Sequence, residues 1–297
     1  MLSPFSNPAS VLFVIQHSIF ALFRAITMPK RKAKEGQVKP LIKAVVFDMG
    51  GVIHTVKPSP QKQLAFAKSV IQLLSERGLH IPDSPEVFNQ KLMQADAARK
   101  ADNEKLVRET PALESWTDYY LKEYGATREQ IFPIAEELCL RWCRDRTEDS
   151  PREGLLDCAE GLYREGMRLG IISNTLSRTN APALLCKYGV SGFFEYVLLS
   201  SVCGLHKPDV RIFDLCRTTM GLEKEEMAYV GDTISRDVIG VRNAGWRLMI
   251  RILHPEAKPD VLERESRLES SGYSPDYVVR SLGEIVDIIR IHNRTRP

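Results

Sequence analysis

Lys43-Ala44-Val45-Val46-Phe47-Asp48-Met49-Gly50-Gly51-Val52-Ile53 is the stretch that decides the fold. Its first half is a short run of β-branched and aromatic residues, the pattern of a fully buried strand. The run stops on a carboxylate followed by two glycines. In an open parallel sheet the carboxyl ends of the central strands face the crevice where ligands bind, which would put Asp48 there. The glycines let main chain approach whatever Asp48 meets. A plainer reading fits this window equally well: a strand closing in an Asx turn before a Gly-Gly loop.

The chain beyond residue 151 separates the two, because strand-like and helical segments alternate there. A helix over about 155–167 leads to Leu169-Gly170-Ile171-Ile172, which ends at Ser173-Asn174-Thr175. A helix around 178–188 leads to Tyr196-Val197-Leu198-Leu199-Ser200, and the next loop holds Gly204-Leu205-His206-Lys207-Pro208-Asp209. A helix over about 210–220 leads to Met227-Ala228-Tyr229-Val230, ending at Gly231-Asp232. A helix through 237–244, a strand over 248–252 and Tyr277-Val278-Val279 follow, and a last helix opens with Ser281 and Glu284 at capping-box spacing. Strands separated by single helices predict an α/β fold with a doubly wound, parallel, Rossmann-like sheet. Right-handed crossovers then bring the carboxyl ends of all the strands to one edge. That edge collects Asp48, Ser173, Lys207, Asp232 and Asp237. A cap or a solvated lysine explains any one of them; five suitable polar groups at corresponding strand ends point to chemistry.

From 58 to 150 the period is helical. Leu64, Ala67, Ile71 and Leu74 share a face that Gly78 ends; Phe88, Leu92 and Ala95 form a second; Trp116, Tyr119 and Tyr120 lie in a segment closed by Gly125; Ile131, Ile134, Ala135, Leu138 and Trp142 make another stripe. This predicts an all-helical cap inserted into a core of residues 41–57 and 151–297, its aromatic residues serving as core rather than as a cofactor box.

Residues 1–40 differ from the rest. Residues 11–26 are mostly apolar but include Gln16, His17 and Arg24, and the run is short for a bilayer span. No Lys or Arg precedes it and no small-residue cleavage site follows, which argues against a secretory signal. Lys30-Arg31-Lys32 and Lys34 come next. If the run inserted, this basic flank would keep the remaining chain cytoplasmic. Translation from Met28 and a basic targeting patch are the other readings, and a flexible or dispensable leader is the expectation. Membrane contact is expected only through insertion of this run.

The 297 residues, 43% hydrophobic and 27% charged, can bury a sizeable core, and a net charge of +3 is too weak to imply nucleic acid. The six cysteines (Cys139, Cys143, Cys158, Cys186, Cys203, Cys216) hold no Cys-x-x-Cys pair and no metal-type cluster with histidine. They read as reduced thiols of a cytoplasmic enzyme. No residue pattern speaks to oligomeric state.

The chemistry suggested by the strand-end set is phosphoryl transfer. Clustered carboxylates favour a hard divalent cation, usually Mg2+ where water and phosphate complete the shell, and such an ion lowers the repulsion between anionic nucleophile and anionic substrate. An aspartate can attack phosphorus and split one hard displacement into two. A hydroxyl, a lysine and loop amides would hold the phosphoryl oxygens where charge builds up.

Four stretches resemble, in order and spacing, the motifs of the haloacid dehalogenase (HAD)-like hydrolase superfamily, in the subgroup with a helical cap after the first strand. They are Val46-Phe47-Asp48-Met49-Gly50-Gly51-Val52-Ile53, Ile171-Ile172-Ser173-Asn174, Lys207-Pro208-Asp209 and Gly231-Asp232-Thr233-Ile234-Ser235-Arg236-Asp237. The resemblance covers residues 43–290. It implies that Asp48 is nucleophile and Mg2+ ligand, that the Gly50 carbonyl binds the same ion, and that Ser173 bonds the phosphoryl group with the amides of Met49, Gly50 and Asn174. Lys207 would neutralise Asp48 and phosphate, Asp232 would ligate the metal, and Asp237 would ligate or orient.

One departure stands out. Family phosphatases usually carry a second aspartate, the acid and base of the reaction, two residues after the nucleophile; here Gly50 occupies that place. Positioned acid–base catalysis contributes on the order of 10²–10⁴-fold. A cap residue, His54 or water would have to substitute. The expected function is a Mg2+-dependent phosphatase acting on a small phosphorylated metabolite, best on good leaving groups. The alternatives are a metal-independent dehalogenase-type hydrolase, which also lacks that acid, and a catalytically impaired binding protein on the same scaffold.

Overall fold

A computed structural model describes residues 41–254, 259–270 and 272–294; the apolar and basic leader lies outside them. The strands are β1 (Ala44–Phe47), β2 (His54–Pro58), β3 (Thr147–Pro151), β4 (Arg168–Ser173), β5 (Phe194–Leu199), β6 (Met227–Gly231), β7 (Leu248–Ile252) and β8 (Tyr277–Val279). Six of them form a parallel sheet in the order β5-β4-β1-β6-β7-β8. From β1 the chain winds outward through β4 to β5, then returns to build β6, β7 and β8 on the other side. The reversal falls between β1 and β6, the topological switch point at which open α/β sheets bind ligands.

Alternation along β1 shows how the layers are made. Val45 and Phe47 pack, all but fully buried, with helices α4 (Leu155–Arg164), α5 (Asn180–Lys187) and α8 (Leu282–Arg294). Ala44 and Val46 point the other way, to α6 (Val210–Thr219) and α7 (Ile239–Ala244). A two-residue period with both faces apolar is what a central parallel strand requires.

The chain between β2 and β3 is mainly helical, and one element departs from the sequence reading. Thr147–Pro151, inside the stretch read as entirely helical, is a strand paired antiparallel with His54–Pro58, from His54 opposite Pro151 to Pro58 opposite Thr147. The chain therefore enters and leaves the insert through a two-stranded ribbon. Thr-Glu-Asp-Ser-Pro is largely exposed and carries none of the β-branched, alternating pattern that marks a strand in sequence.

Within the insert, α1 (Pro60–Ser75), α2 (Pro85–Leu106), a π-helical turn (Ser115–Tyr120) and α3 (Ala135–Arg144) enclose a core of their own. Phe88, Leu92, Trp116, Ile131, Ile134, Leu138 and Trp142 are buried, as their spacing predicts. On α1 the buried stripe is rotated from the predicted one: Phe66, Ala67, Val70 and Leu74 point inward, while Leu64 and Ile71 are half-buried. Trp142 packs on Tyr120 with tilted rings whose centroids lie 4.7 Å apart, and Tyr120 packs on Trp116 in the same way at 4.6 Å. Among the described residues no helix is long and apolar enough to cross a membrane.

Beyond the ribbon, insert and core meet at the end of α2. Val107 takes a left-handed conformation (φ 50°), turning the chain so that Arg108 bridges Leu205 and the Glu109 amide donates to the Gly204 carbonyl at 3.0 Å. The loop reached in this way is the one that carries Lys207.

Candidate active site

Asp48 follows the last residue of β1, and its amide donates to the Val230 carbonyl of β6 at 2.9 Å. This places the carboxylate at the switch point. Asp48 Oδ1 accepts from the Met49 amide at 2.7 Å and lies 3.0 Å from the Lys207 ammonium. Lys207 Nζ also donates to Asp237 Oδ1 at 2.7 Å and to the Tyr229 hydroxyl at 2.9 Å, so all three of its protons are used. The lysine is 1% exposed. Burial works against its charge, but Asp237 and then Asp48 outweigh that and hold the ammonium above its ordinary range.

The three aspartates stand in different states. Asp237 is fully buried and engaged on both oxygens: Oδ1 by Lys207 and by Tyr229 at 3.2 Å, Oδ2 by the amide (3.0 Å) and hydroxyl (2.8 Å) of Thr233. Burial pushes its carboxyl up, but Lys207 and Arg236 more than offset this and hold it below the usual range. Burial raises the Asp48 carboxyl, with Lys207 only partly offsetting it. Asp232 is pushed up to about 8, first by burial and then by Asp48 and Asp237, and its Oδ1 is buried without a hydrogen-bond partner.

One carboxylate oxygen from each of Asp48, Asp232 and Asp237 lies within 4.8 Å of the others. Hard oxygen donors, a surplus of negative charge and an orphaned buried oxygen are the conditions that a divalent cation such as Mg2+ relieves. The residues present therefore fit such an ion, most directly through Asp232 and Asp48. Gly51 sits against the same place. With φ +72° and its Cβ position overlapping Asp232 Oδ2, it admits only glycine. Gly50 is the opposite case: a side chain there would meet open space.

Ser173 ends β4 and is 5% exposed. Phe47 pairs with Ile171, so Ser173 stands beside Asp48 on the same sheet edge. Asn174 takes a more specific role than the sequence suggested. Its Oδ1 accepts the Lys207 amide at 2.9 Å, while Nδ2 donates to the Lys207 carbonyl and to His206 Nδ1, each at 3.1 Å. The side chain thus pins the loop that presents Lys207. Met49 is buried in the core, and its amide is turned to Asp48. His54 is buried with its ring centroid 6.5 Å from that of Tyr188, and its Nδ1 has no partner; its contacts do not join it to the carboxylates.

Sequence reasoning missed three participants. Tyr229 is a phenol in a buried strand, and its isolated polar handle among apolar neighbours was the available signal. Arg236 sat inside a quoted motif without a role. Glu109, on the insert, has no sequence signal at all. It is 6% exposed and accepts from Arg99 (2.9 Å), Asn103 (2.9 Å) and, across the junction, Ser200 (2.7 Å), with His206 Nε2 3.8 Å away.

A family model described as haloacid dehalogenase-like hydrolase matches residues 42–245. A glyceraldehyde 3-phosphate phosphatase of Methanocaldococcus jannaschii is 34% identical over 125 residues, covering 42% of this chain and 50% of that protein. The chain thus spans about half the length of that relative. One of the same name from Methanopyrus kandleri is 24% identical over 250 residues, covering 84% of this chain and 98% of that protein. Among solved structures, a HAD phosphatase from Thermococcus onnurineus aligns with a TM-score of 0.55 at 22% identity, covering 84% of this chain and 98% of that one. Matched motifs, doubly wound sheet and family model agree: the chain belongs to the haloacid dehalogenase-like hydrolases.

Proposed function

We propose that this chain is a Mg2+-dependent phosphatase that cleaves a small phosphorylated metabolite through an aspartyl-phosphate on Asp48. The observation that carries the reading is the pairing of Asp48 with a saturated Lys207 beside an Asp232 oxygen that has no partner. The phosphatase names of relatives matching this chain agree with it.

In this reading the Asp48 carboxylate attacks phosphorus. A new Asp48 O–P bond forms, and the P–O ester bond breaks with its electron pair leaving on the alcohol oxygen. Ser173, with the Gly50 and Asn174 amides, holds the phosphoryl oxygens as charge shifts onto them, and the Lys207 ammonium, kept in place by its three partners, offsets that charge electrostatically. Bound Mg2+ would supply charge neutralisation between the carboxylates and phosphate. Asp48, Asp232 and the Gly50 carbonyl would hold it, and Asp237, engaged on both oxygens, keeps Lys207 in place. Water then attacks phosphorus, the Asp48 O–P bond breaks, and inorganic phosphate leaves. Gly50 offers no proton, so the departing oxygen must take its proton from water, which favours stable leaving groups. The helical insert acts as a cap over this crevice. Six unpaired cysteines favour a reducing compartment, the cytoplasm. An attack on carbon without metal is disfavoured, because it leaves the buried Asp232 oxygen without purpose.

The test is a panel of phosphometabolites offered to the purified full chain with and without Mg2+, beside Asp48→Asn. Mg2+-dependent phosphate release that disappears in the variant is the expected result. A silent panel with folded, Mg2+-binding protein would overturn the reading in favour of a binding protein; chloride release from 2-haloacids without metal would replace it with the dehalogenase.

A further inference from the structure

Arg236 adds positive charge beside Asp237 and Asp48, but the displacement at Asp48 assigns no contact to its guanidinium. It lies in the π-helical turn Ile234–Val238, immediately before Asp237. Its Nε is 3.4 Å from the Thr233 hydroxyl, and among the described residues its guanidinium makes no ion pair within 4 Å. A guanidinium keeps its charge and presents a planar fork of donors suited to carboxylate or phosphate.

The space it faces is a cleft of about 210 Å³ between core and insert. Asn174, His206 and Arg236 line the core side, and each is the chain neighbour of a residue of the proposed site: Ser173, Lys207 and Asp237. Arg99, Lys100 and Glu104 of α2 line the other side. With the phosphoryl oxygens drawn to Lys207 and Ser173, this cleft is where the remainder of a substrate would lie. Its volume is below the roughly 300–1,000 Å³ of drug-sized sites, which suits a short carbon chain.

The cations lining it are not equivalent. Arg99 is committed to Asp96 and Glu109 at 3.0 and 2.9 Å, both partners buried. Lys100 reaches Asp96 Oδ2 at 2.8 Å but its side chain is 64% exposed, so its ammonium can turn toward the cleft. The charges that hold Arg236 protonated are Asp237 first, then Asp48 and Asp232, with exposed Glu104 after them; none of the four forms an ion pair with its guanidinium within 4 Å, so its donors stay open to a bound anion.

We propose that Arg236, flanked by Lys100, binds a second anionic group on the substrate, so that the preferred phosphomonoesters carry a carboxylate or a second phosphate a few bonds from the ester oxygen. This rests on the phosphatase reading above. Arg236 is in these terms a specificity-determining residue, and its effect is on the leaving-group end.

The experiment uses matched pairs with the full chain and Mg2+: 2-phosphoglycolate against ethyl phosphate, and propane-1,3-diol bisphosphate against propyl phosphate. The first pair reports on carboxylate, the second on phosphate. The charged member is expected to lead by roughly 10–100-fold in kcat/KM, mainly through KM, as one charge-assisted contact supplies. Arg236→Gln should bring that ratio near one, and Arg236→Lys should restore part of it. A ratio near one in the wild type, or one that Arg236→Gln leaves intact while turnover continues, overturns the inference and leaves the phosphatase standing. If no ester is hydrolysed, calorimetry on Asp48→Asn with the same pairs decides. Tighter binding of the charged members that is lost on adding Arg236→Gln sustains the anion site although the phosphatase reading fails; equal binding or none overturns both.

Discussion

Asn174 holds the main chain of Lys207 from both sides, accepting its amide at 2.9 Å and donating to its carbonyl at 3.1 Å. The residue after Ser173 thus fixes the main chain of Lys207, and two strand ends become one unit. Asn174→Ala removes both bonds and leaves half-buried backbone groups unpaired. A loss of about 1–3 kcal/mol in unfolding free energy is expected, with kcat falling at least about tenfold because Lys207 is no longer held. Urea unfolding and steady-state kinetics would check this. Unchanged stability and rate would mean that the loop holds Lys207 without Asn174.

Much of this was legible in the sequence, and the reasons are physical. The fold was readable from β1 because a buried parallel strand is apolar on both faces and stops at the sheet edge, where Asp48 follows it. Asp48, Lys207, Asp232 and Asp237 were readable because each follows a strand at the same sheet edge. The ribbon strand Thr147–Pro151 was not, since an exposed strand needs no apolar alternation. Nor was the clamp by Asn174 or the reach of Glu109 from the insert to Ser200. Both depend on which loops meet in space, and the residue types at those positions are ordinary ones for loops and helix ends.

Gly50 and Gly51 are adjacent and predict opposite outcomes. A Cβ at Gly50 meets nothing within 4 Å, and its backbone is outside the left-handed region, so Gly50→Asp should fold normally and point a carboxyl into the crevice. Turnover of alkyl phosphates, whose leaving group needs a proton, should rise about 10–100-fold, while that of p-nitrophenyl phosphate should barely change. Equal changes on both would show that the new carboxyl is not acting as an acid. Gly51→Ala, by contrast, forces a methyl onto Asp232 at φ +72° and should weaken Mg2+ binding by more than tenfold. Calorimetric titration with MgCl2 would measure it.

If Asp232 ligates the metal as proposed, its charge serves the site at the expense of the fold. Its buried, partnerless oxygen beside two other carboxylates destabilises the metal-free protein. Asp232→Asn should therefore raise the melting temperature in EDTA, by a few degrees for about 1 kcal/mol. MgCl2 is expected to raise the melting temperature of the wild type, and the same substitution should abolish that shift. Thermal scans with EDTA and with MgCl2 separate the two effects. A variant that melts lower in EDTA would contradict the claim that repulsion dominates at this position.

His206 gives the pH dependence its sign. Burial, and after it Arg236, lowers the imidazole to about 4, and Asn174 Nδ2 donates to its unprotonated Nδ1. As pH falls through 6.5 the unfolded chain takes up a proton that the folded one refuses. The contribution of His206 is therefore intact above pH 6.5 and is lost as pH falls from 6.5 toward 4, at up to about 1.4 kcal/mol per pH unit. Glu109, 3.8 Å away, works in the opposite sense: burial raises its carboxyl, so its contribution declines as pH rises above its unfolded range. The two are separated by difference, comparing unfolding free energies of wild type and His206→Gln at pH 5.0, 5.75 and 6.5. The gap between the two proteins should narrow as the pH is lowered. A gap that stays constant across this window would mean that His206 titrates in the folded protein much as it does in the unfolded chain, and that its contact with Asn174 does not keep it neutral.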